Sequence, residues 1–309
     1  MNKYAKSILN SKFCNVCPRK CNIDRANGVG FCGAKDKAVI SKIMIHNWEE
    51  PFLTNSCSTN RDEKHGSGAI FFSGCNLKCV YCQNYEISSK ICGKEVTDYE
   101  LAEIFKLLES KNVCNINLVT PTHFVKQIIG ALSIYKPKIP IVYNSSGYET
   151  IETIKALEGL VDIYLFDFKY INQNTAKDYS NAINYPEICK NALLEAKKQV
   201  KNEVFDGNIM QKGIVIRHLL LPGESQIAIL ILNFIKDNLG KNSYVSLLNQ
   251  YAPFGKAKSI AKLNKRPTDL EYKRVVNFAK SLDMPNIFLQ DKTSANDEFV
   301  PDFSVFCDF

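Results

Sequence analysis

The chain lacks a hydrophobic run long enough to cross a membrane. Its most apolar helix-like stretch, Ile227–Ile235, is far shorter than a bilayer span and contains Asn233. Met1–Asn10 is polar and has no sustained apolar core of the kind that export signals carry. No internal repeat and no low-complexity segment is visible. We therefore expect a cytoplasmic protein that does not enter the membrane.

Concentrated charge is also missing. The 309 residues carry a net charge of only +7, and the lysines are scattered along the chain rather than clustered. A lysine-rich solvated surface is therefore favoured over nucleic-acid binding. The contents of 45% hydrophobic and 23% charged residues are typical of a globular protein. The length allows one large domain or two modest ones.

Cysteine, in contrast, is abundant, with twelve residues. A secreted disulfide scaffold is usually much smaller, so clustered cysteines in this chain indicate metal or redox chemistry. Seven of them form two tight groups: Cys14, Cys17, Cys21 and Cys32, and then Cys75, Cys79 and Cys82. The isolated ones are interpreted as small buried hydrophobic residues: Cys57, Cys92, Cys114, Cys189 and Cys307.

From Ala69 onward, short apolar runs alternate with amphipathic helical patterns. The runs that predict buried parallel strands are Ala69–Ser73, Ile116–Thr120, Ile139–Tyr143, Val161–Phe166, Gly213–His218 and Tyr244–Leu248. Six such units are too few for a closed eight-fold barrel, which takes roughly 250 residues. The sequence therefore predicts an α/β fold with a partial (βα)6 TIM-type barrel, and a doubly wound open sheet is the alternative.

Two further features complete the predicted organisation. Thr97 and Glu100 form a capping box at the start of one predicted helix, and Asn286–Gln290 could add an edge strand. We expect a cysteine-rich, metal-binding segment with a linker at residues 1–65 and the barrel domain at residues 66–309.

The second cysteine group directly follows the first predicted strand of the barrel. Active sites of barrels lie at the C-terminal ends of the strands, so Cys75, Cys79 and Cys82 stand where chemistry is expected. Iron–sulfur clusters usually take four cysteines, and three would leave one iron open to a ligand. Cys92 lies ten residues further on and is interpreted as non-ligating. A zinc knot is the alternative for this loop.

The CxxxCxxC spacing, with Tyr81 just before its last cysteine, resembles the radical S-adenosylmethionine superfamily. The resemblance implies a 4Fe-4S cluster that reductively cleaves S-adenosylmethionine. The resulting 5′-deoxyadenosyl radical abstracts hydrogen from a substrate. It also implies a one-electron donor such as flavodoxin or ferredoxin.

The wider sequence resembles the branch of pyruvate formate-lyase activating enzyme-like oxidoreductases, the PflX group. The similar segments are His46–Pro51, Gly66–Cys75, Cys82–Ile87, Asn117–His123, Val142–Tyr148, Asp162–Lys169, Arg217–Gly223 and Asn249–Pro253. This resemblance makes a glycyl-radical protein the candidate partner. One departure is Thr120–His123, which stands where superfamily members often carry a Gly-Gly-Glu turn.

Several polar residues at predicted strand ends complete the candidate site. The residues to which we assign cofactor binding are Tyr81, Asn144, Ser145, Asp167, Lys169 and His218. Asp167 and Lys169 are two apart and so share a strand face, and the resemblance implies that Lys169 contacts S-adenosylmethionine. An ordinary ion pair at the barrel rim is the alternative.

Adjacent strand residues face opposite sides, so only one of Arg217 and His218 readily faces the pocket. The resemblance favours His218. Trp48 and Glu49 precede the barrel, and we expect them to plug its bottom or its open seam.

The first cysteine group, Cys14, Cys17, Cys21 and Cys32, has loop spacing that suits either a structural zinc or a second iron–sulfur cluster. Either would help to fold a segment with little core of its own. A reduced, metal-free loop is the alternative.

Two other functions remain open at this point. One is an iron–sulfur electron-transfer protein, for which a barrel-sized pocket is unneeded. The other is a nucleic-acid-modifying radical enzyme, which the modest charge disfavours.

Overall fold

The computed structural model describes residues 1–55, 64–290 and 301–308, and Cys57 lies outside the described residues. Its strands are β1 (Phe13–Cys14), β2 (Ile23–Asp24), β3 (Ala38–His46), β4 (Ser67–Phe72), β5 (Lys94–Val96), β6 (Asn115–Val119), β7 (Ile141–Ser145), β8 (Ile163–Asp167), β9 (Val204–Asp206), β10 (Ile209–Leu219), β11 (Tyr244–Leu248) and β12 (Ile287–Leu289).

The helices alternate with these strands through most of the chain. They are α1 (Lys3–Asn10), α2 (Pro51–Thr54), α3 (Tyr85–Ser89), α4 (Asp98–Ser110), α5 (Val125–Ile134), α6 (Ile151–Leu157), α7 (Gln173–Ser180), α8 (Tyr185–Gln199), α9 (Ser225–Leu239) and α10 (Asp269–Ser281), with 3-10 turns at Thr122–Phe124 and Gly255–Ser259. In the described ranges, no helix combines the length and the apolar character that a bilayer crossing needs.

Six parallel strands form the centre of the main sheet, in the spatial order β4, β6, β7, β8, β10, β11. This order is also the order in sequence. A doubly wound sheet reverses its strand order at a switch point, and these six strands do not. The six predicted strands are confirmed, and their arrangement is that of a partial (βα)6 barrel rather than the doubly wound alternative.

The edges of the sheet extend this parallel core. β12 pairs in parallel with β11, which confirms the edge strand expected near residues 286–290. At the other edge, β3 pairs antiparallel with both β4 and β5. Because β3 belongs to the main sheet, part of the segment before residue 65 is built into the barrel, and the domain division stays a prediction.

Local signals in the sequence explain where helices begin. Thr97 and Glu100 form the predicted capping box at α4, in which each side chain bonds the other residue's backbone N–H. The apolar face of α4, including Leu101, Phe105 and Leu108, is fully buried. Capping at the first turn and burial of one face together fix this helix against the sheet.

The helix α2 fills one end of the barrel interior. Phe52 and Leu53 pack against Val142, Leu165 and Val215, which point inward from β7, β8 and β10. Each of these three residues lies two positions before the polar side chain that its strand contributes at the other end of the barrel: Asn144, Asp167 and Arg217. Apolar side chains of α2, rather than the expected Trp48 and Glu49, therefore form the floor of the barrel, and the opposite end remains polar.

Candidate active site

A cavity of about 810 Å³ opens at the C-terminal ends of the barrel strands. Its size lies in the range of about 300–1,000 Å³ that is typical of small-molecule sites. Side chains after four strands contribute to its wall: Cys75, Cys79 and Cys82 after β4, Asn144 and Ser145 on β7, Asp167 and Lys169 around β8, and Arg217 on β10. The predicted barrel end and the residues predicted to act there thus meet around one cavity.

The three cysteines of the motif are held in a largely water-excluded position. Cys75 and Cys79 are buried and Cys82 is half-buried. The backbone N–H of Leu77 donates to Cys75 Sγ at 3.3 Å, and Ser180 Oγ donates to Cys79 Sγ at 3.0 Å. Hydrogen bonds to sulfur stabilise thiolates and tune the clusters that they hold.

Electrostatics at this loop favour a positively charged ligand. Burial, together with the nearby thiols of Cys79 and Cys75, raises the pKa of Cys82 to about 12. Burial likewise raises the pKa of Cys75, with Cys79 adding to the effect. A metal must therefore compensate the charge before these thiols can serve as thiolate ligands.

The cysteine loop turns sharply through two left-handed residues. Gly74 has φ +82° and Lys78 has φ +53°. The side-chain amide of Asn76 donates to the carbonyl of Tyr148 at 3.0 Å and ties the loop to the segment after β7. Glycine adopts positive φ without steric cost, which explains why it directly precedes Cys75.

Tyr81 belongs to an aromatic wall of the cavity. Its ring is buried and meets those of Tyr170, Tyr179 and Tyr251 edge-on, with centroids 6.4, 6.3 and 6.1 Å away. Edge-to-face contacts of this kind stabilise aromatic clusters beyond simple burial. Tyr81 and Tyr251 line the cavity beside the cysteine loop, and the other two rings support Tyr81.

A network of charged and polar side chains forms the opposite part of the cavity. The Arg217 guanidinium bonds Asp167 Oδ1 at 2.9 Å, Glu49 Oε2 at 2.9 Å and Asn144 Oδ1 at 2.6 Å. Lys169 Nζ bonds Asp167 Oδ2 at 2.7 Å. Asn144, Asp167 and Lys169 were assigned to cofactor binding from the sequence, but their connection through Arg217 was not predicted.

These charges are locked in place at neutral pH. Burial opposes ionisation of Asp167, but the Arg217 and Lys169 cations lower its pKa to about 2. Burial also disfavours the Lys169 ammonium, yet Asp167 raises its pKa above the ordinary range. The cavity therefore presents a fixed ammonium and carboxylate to any ligand with the complementary charges.

The expectation that His218 faces the cavity is wrong. Arg217 lines the cavity, and His218 points to the other face of β10, where its Nδ1 lies 2.8 Å from the carbonyl of Phe168. Burial lowers the pKa of His218 to about 4, so the ring is neutral. Strand alternation predicted that only one neighbour could face inward, and the resemblance selected the wrong one.

His123 has a structural position behind the site. Its Nε2 lies 2.7 Å from the carbonyl of Ser73, and burial lowers its pKa to about 4. Thr120, with φ +60°, lines the cavity at the end of β6. Of Thr120–His123, the segment that departs from the superfamily pattern, Thr120 is therefore the residue that lines the cavity.

The remaining expectations for this region concern Ser145 and Cys92. Ser145 is buried in the cavity wall, and its hydroxyl accepts the N–H of Gly147 at 3.1 Å. Cys92 Sγ lies 3.9 Å from the carbonyl of Glu86 and 4.0 Å from Ser73 Oγ. Neither Ser73 nor Cys92 lines the cavity, and the non-ligating role of Cys92 stays a prediction.

The cysteines near the N-terminus lie in a compact loop, which we call the N-terminal knot (residues 13–33). Cys17 and Cys32 are buried, Cys14 and Cys21 are half-buried, and all are free thiols. Within the described ranges, no three Cys, His, Asp or Glu side chains meet closely enough to hold a single metal ion, in the knot or in the Cys75 loop.

The family profile described as "Radical SAM superfamily" matches residues 69–230, which include the cysteine loop and most of the barrel. The chain belongs to the Radical SAM superfamily. It is therefore similar to enzymes that use a 4Fe-4S cluster and S-adenosylmethionine, and we describe it as a radical SAM enzyme below.

Two relatives of this radical SAM enzyme come from Methanocaldococcus jannaschii. The uncharacterized protein MJ0674 is 33% identical over 294 residues, covering 92% of this chain and 78% of its own. The uncharacterized protein MJ0808 is 24% identical over 261 residues, covering 78% and 71%.

Two solved structures are similar to part of this chain. Streptococcus suis SuiB bound to S-adenosylmethionine has 12% identity and a TM-score of 0.47, covering 70% of this chain and 48% of its own. The methylornithine synthase PylB has 15% identity and a TM-score of 0.46, covering 70% and 68%. The chain thus spans about half the length of SuiB.

Proposed function

We propose that Cys75, Cys79 and Cys82 hold the 4Fe-4S cluster of this radical SAM enzyme and leave one iron for S-adenosylmethionine. The observation that carries this proposal is the placement of three buried or half-buried thiols at the wall of the large cavity, at the C-terminal end of the barrel. Three thiolates are one short of a closed 4Fe-4S ligand set.

The surrounding residues fit such a cluster. Donors from Leu77 and Ser180 point at two of the sulfurs, and burial excludes water from the loop. When bound and reduced, the cluster supplies the electron that splits S-adenosylmethionine into methionine and a 5′-deoxyadenosyl radical. The protein contributes position, charge and an enclosed environment that keeps side reactions away from a reactive radical.

The ionic network suits the polar end of S-adenosylmethionine. Lys169 presents an ammonium and Asp167 a carboxylate, which match the carboxylate and amino groups of a methionyl moiety. Asn144 and Ser145 offer further polar atoms on β7, and Tyr81 offers an apolar surface. We assign S-adenosylmethionine binding to these five residues, and in the place of His218 we assign Arg217 the task of orienting Asp167.

We also propose a pyruvate formate-lyase activating enzyme-like reaction, in which the radical abstracts hydrogen from a glycine of a partner protein. The support is the similarity of segments along the whole chain and the cavity mouth, where Trp48 lines the opening and is 68% exposed. An exposed aromatic ring is well suited to contact a protein segment. A flavodoxin or ferredoxin is the proposed electron donor.

The first test is the formation of 5′-deoxyadenosine. Anaerobically reconstituted enzyme with dithionite and S-adenosylmethionine should yield methionine and 5′-deoxyadenosine, measured by liquid chromatography. Cys79→Ala should abolish both, and Cys92→Ala is the matched control that should retain them. An unchanged yield in Cys79→Ala would contradict the assignment of the motif.

The second test concerns the partner. A glycyl-radical protein incubated with the enzyme and S-adenosylmethionine should acquire the doublet electron paramagnetic resonance signal of a glycyl radical. Trp48→Ala should weaken this activation and leave the uncoupled cleavage of S-adenosylmethionine intact. A modified nucleoside in added RNA would instead support the nucleic-acid alternative.

A further inference from the structure

The N-terminal knot is folded around its four cysteines rather than around an apolar core. β1 and β2, which are two residues long each, pair antiparallel, and the N–H of Asn22 donates to the carbonyl of Cys14 at 3.0 Å. The N–H of Lys20 donates to the carbonyl of Cys17 at 3.0 Å. Lys20 and Asn22 have φ of 43° and 49°, so the chain is wound tightly on both sides of Cys21.

Hydrogen-bond donors point at the sulfurs of the knot, as they do in the Cys75 loop. The N–H of Phe31 donates to Cys21 Sγ at 3.5 Å, and Arg25 Nη2 lies 3.7 Å from Cys32 Sγ. A Cβ on Gly30 would lie 3.0 Å from Cys21 Sγ, so a larger residue would displace the thiol. Donors aimed at sulfur are a feature of thiolate ligands.

The four cysteines are enough to complete the ligand set of a 4Fe-4S cluster, with one thiolate at each iron. A zinc ion can use the same four ligands, but it has no redox chemistry and cannot carry an electron.

The knot is in direct contact with the catalytic loop. A Cβ on Gly74 would lie 2.5 Å from the carbonyl oxygen of Cys32, so these backbones touch one residue before Cys75. Arg19 Nε donates to the carbonyl of Asn76 at 2.8 Å, within the loop itself. The two cysteine sets are therefore joined by contacts at both ends of the Cys75 turn.

The knot also lies in a basic part of the chain. Residues 1–37 contain eight Lys and Arg against two Asp and no Glu, a net charge of +6 out of +7 for the whole chain. The lysines are thus less evenly spread than the total charge suggests. Lys12 and Lys20 are exposed on this face. A concentrated positive field attracts acidic partners and speeds their encounter at low salt.

We propose that Cys14, Cys17, Cys21 and Cys32 hold a second iron–sulfur cluster, which accepts electrons from an acidic one-electron donor and passes them to the catalytic loop. The donor, a reduced flavin or iron–sulfur protein, is oxidised by one electron. The knot is reduced and then reoxidised as the catalytic cluster gains that electron. The electron relay rests on the proposed function of Cys75, Cys79 and Cys82. The presence of a second cluster in the knot does not depend on that function.

Iron content and spin state test the cluster itself. The reconstituted wild-type chain should contain about eight iron atoms and Cys17→Ser/Cys32→Ser about four, with Cys92→Ser as the matched control near eight. After reduction by dithionite, the electron paramagnetic resonance signal of wild type should be broadened by spin coupling between the two neighbouring clusters. The double variant should give the uncoupled signal of a single cluster. About four irons in wild type, or one zinc lost in the variant, would overturn the proposal.

Electron delivery tests the relay. Cleavage of S-adenosylmethionine driven by reduced flavodoxin should fall at least ten-fold in Cys17→Ser/Cys32→Ser, but change less than two-fold when dithionite with a viologen mediator supplies electrons. Flavodoxin-driven wild-type cleavage should also fall with added salt. Equal losses with both reductants would overturn the relay. Failure of the proposed catalytic function is separate, because wild type would then make no 5′-deoxyadenosine with either reductant.

Discussion

Removing the charge of Asp167 should destabilise the protein, by an amount that the network around it sets. Arg217 and Lys169 both bond this carboxylate and lower its pKa from 3.8 to about 2. One pKa unit corresponds to about 1.4 kcal/mol, so the stabilisation at neutral pH is about 2 kcal/mol. The side chain is 26% exposed to the cavity, which screens part of the interaction. We therefore expect Asp167→Asn to lower the free energy of unfolding by about 1–2 kcal/mol at pH 7.

The pH dependence of this loss follows from the direction of the pKa change. The folded-state pKa is lower than the unfolded one, so the ionised carboxylate stabilises the folded state fully above pH 3.8. The contribution disappears as the pH falls through about 2. The difference between wild type and Asp167→Asn should therefore be constant from pH 7 to pH 5 and should shrink in more acidic solution.

Chemical denaturation at several pH values measures this difference. The matched control is Glu103→Gln, which makes the same kind of change in the exposed ion pair with Lys106, whose side chains are 46% and 43% exposed. Exposed pairs contribute about 0–1 kcal/mol, so this variant should change little. An Asp167→Asn loss no larger than that of the control, or one that persists undiminished near pH 3, would refute the reasoning.

Three further outcomes follow from the same contacts. Thr97→Ala should cost about 1 kcal/mol of unfolding free energy in denaturant titrations, because it removes the cap of α4, and Thr97→Ser should restore most of it. His218 and His123 should stay neutral in nuclear magnetic resonance titrations down to a pH near 4, because both are buried; protonation near pH 6.5 would contradict this. Gly74→Ala should reduce the iron bound after reconstitution, because its Cβ would meet the carbonyl of Cys32 at φ +82°; full iron loading would show that the contact is dispensable.

The sequence predicted the parts of the fold that depend on local patterns. The six parallel strands, the edge strand β12 and the capping box of α4 all follow from apolar runs and first-turn residues, which are visible within a few positions. The position of the Cys75 loop followed as well, because strand ends of a barrel share one edge.

The parts that failed depend on long-range packing. Alternation shows that Arg217 and His218 face opposite sides, but the inward side is set by α2 beneath the strand and by Glu49, both distant in sequence. The pairing of β3 with the main sheet was equally hidden, because an antiparallel edge leaves no signal in the strand itself. The adjacent acidic residues Glu49 and Glu50 were the one hint in the sequence that a cation such as Arg217 lies in the barrel interior.

The barrel floor that Phe52 and Leu53 form also affects the order in which ligands can enter the cavity. With the N-terminal end of the barrel filled, a cofactor and a large substrate must enter from the side where Trp48 stands. A protein segment seated there would cover whatever is already bound below it. For the proposed protein partner we therefore expect ordered binding, with S-adenosylmethionine first and the partner second, and a radical formed only beneath a covered entrance.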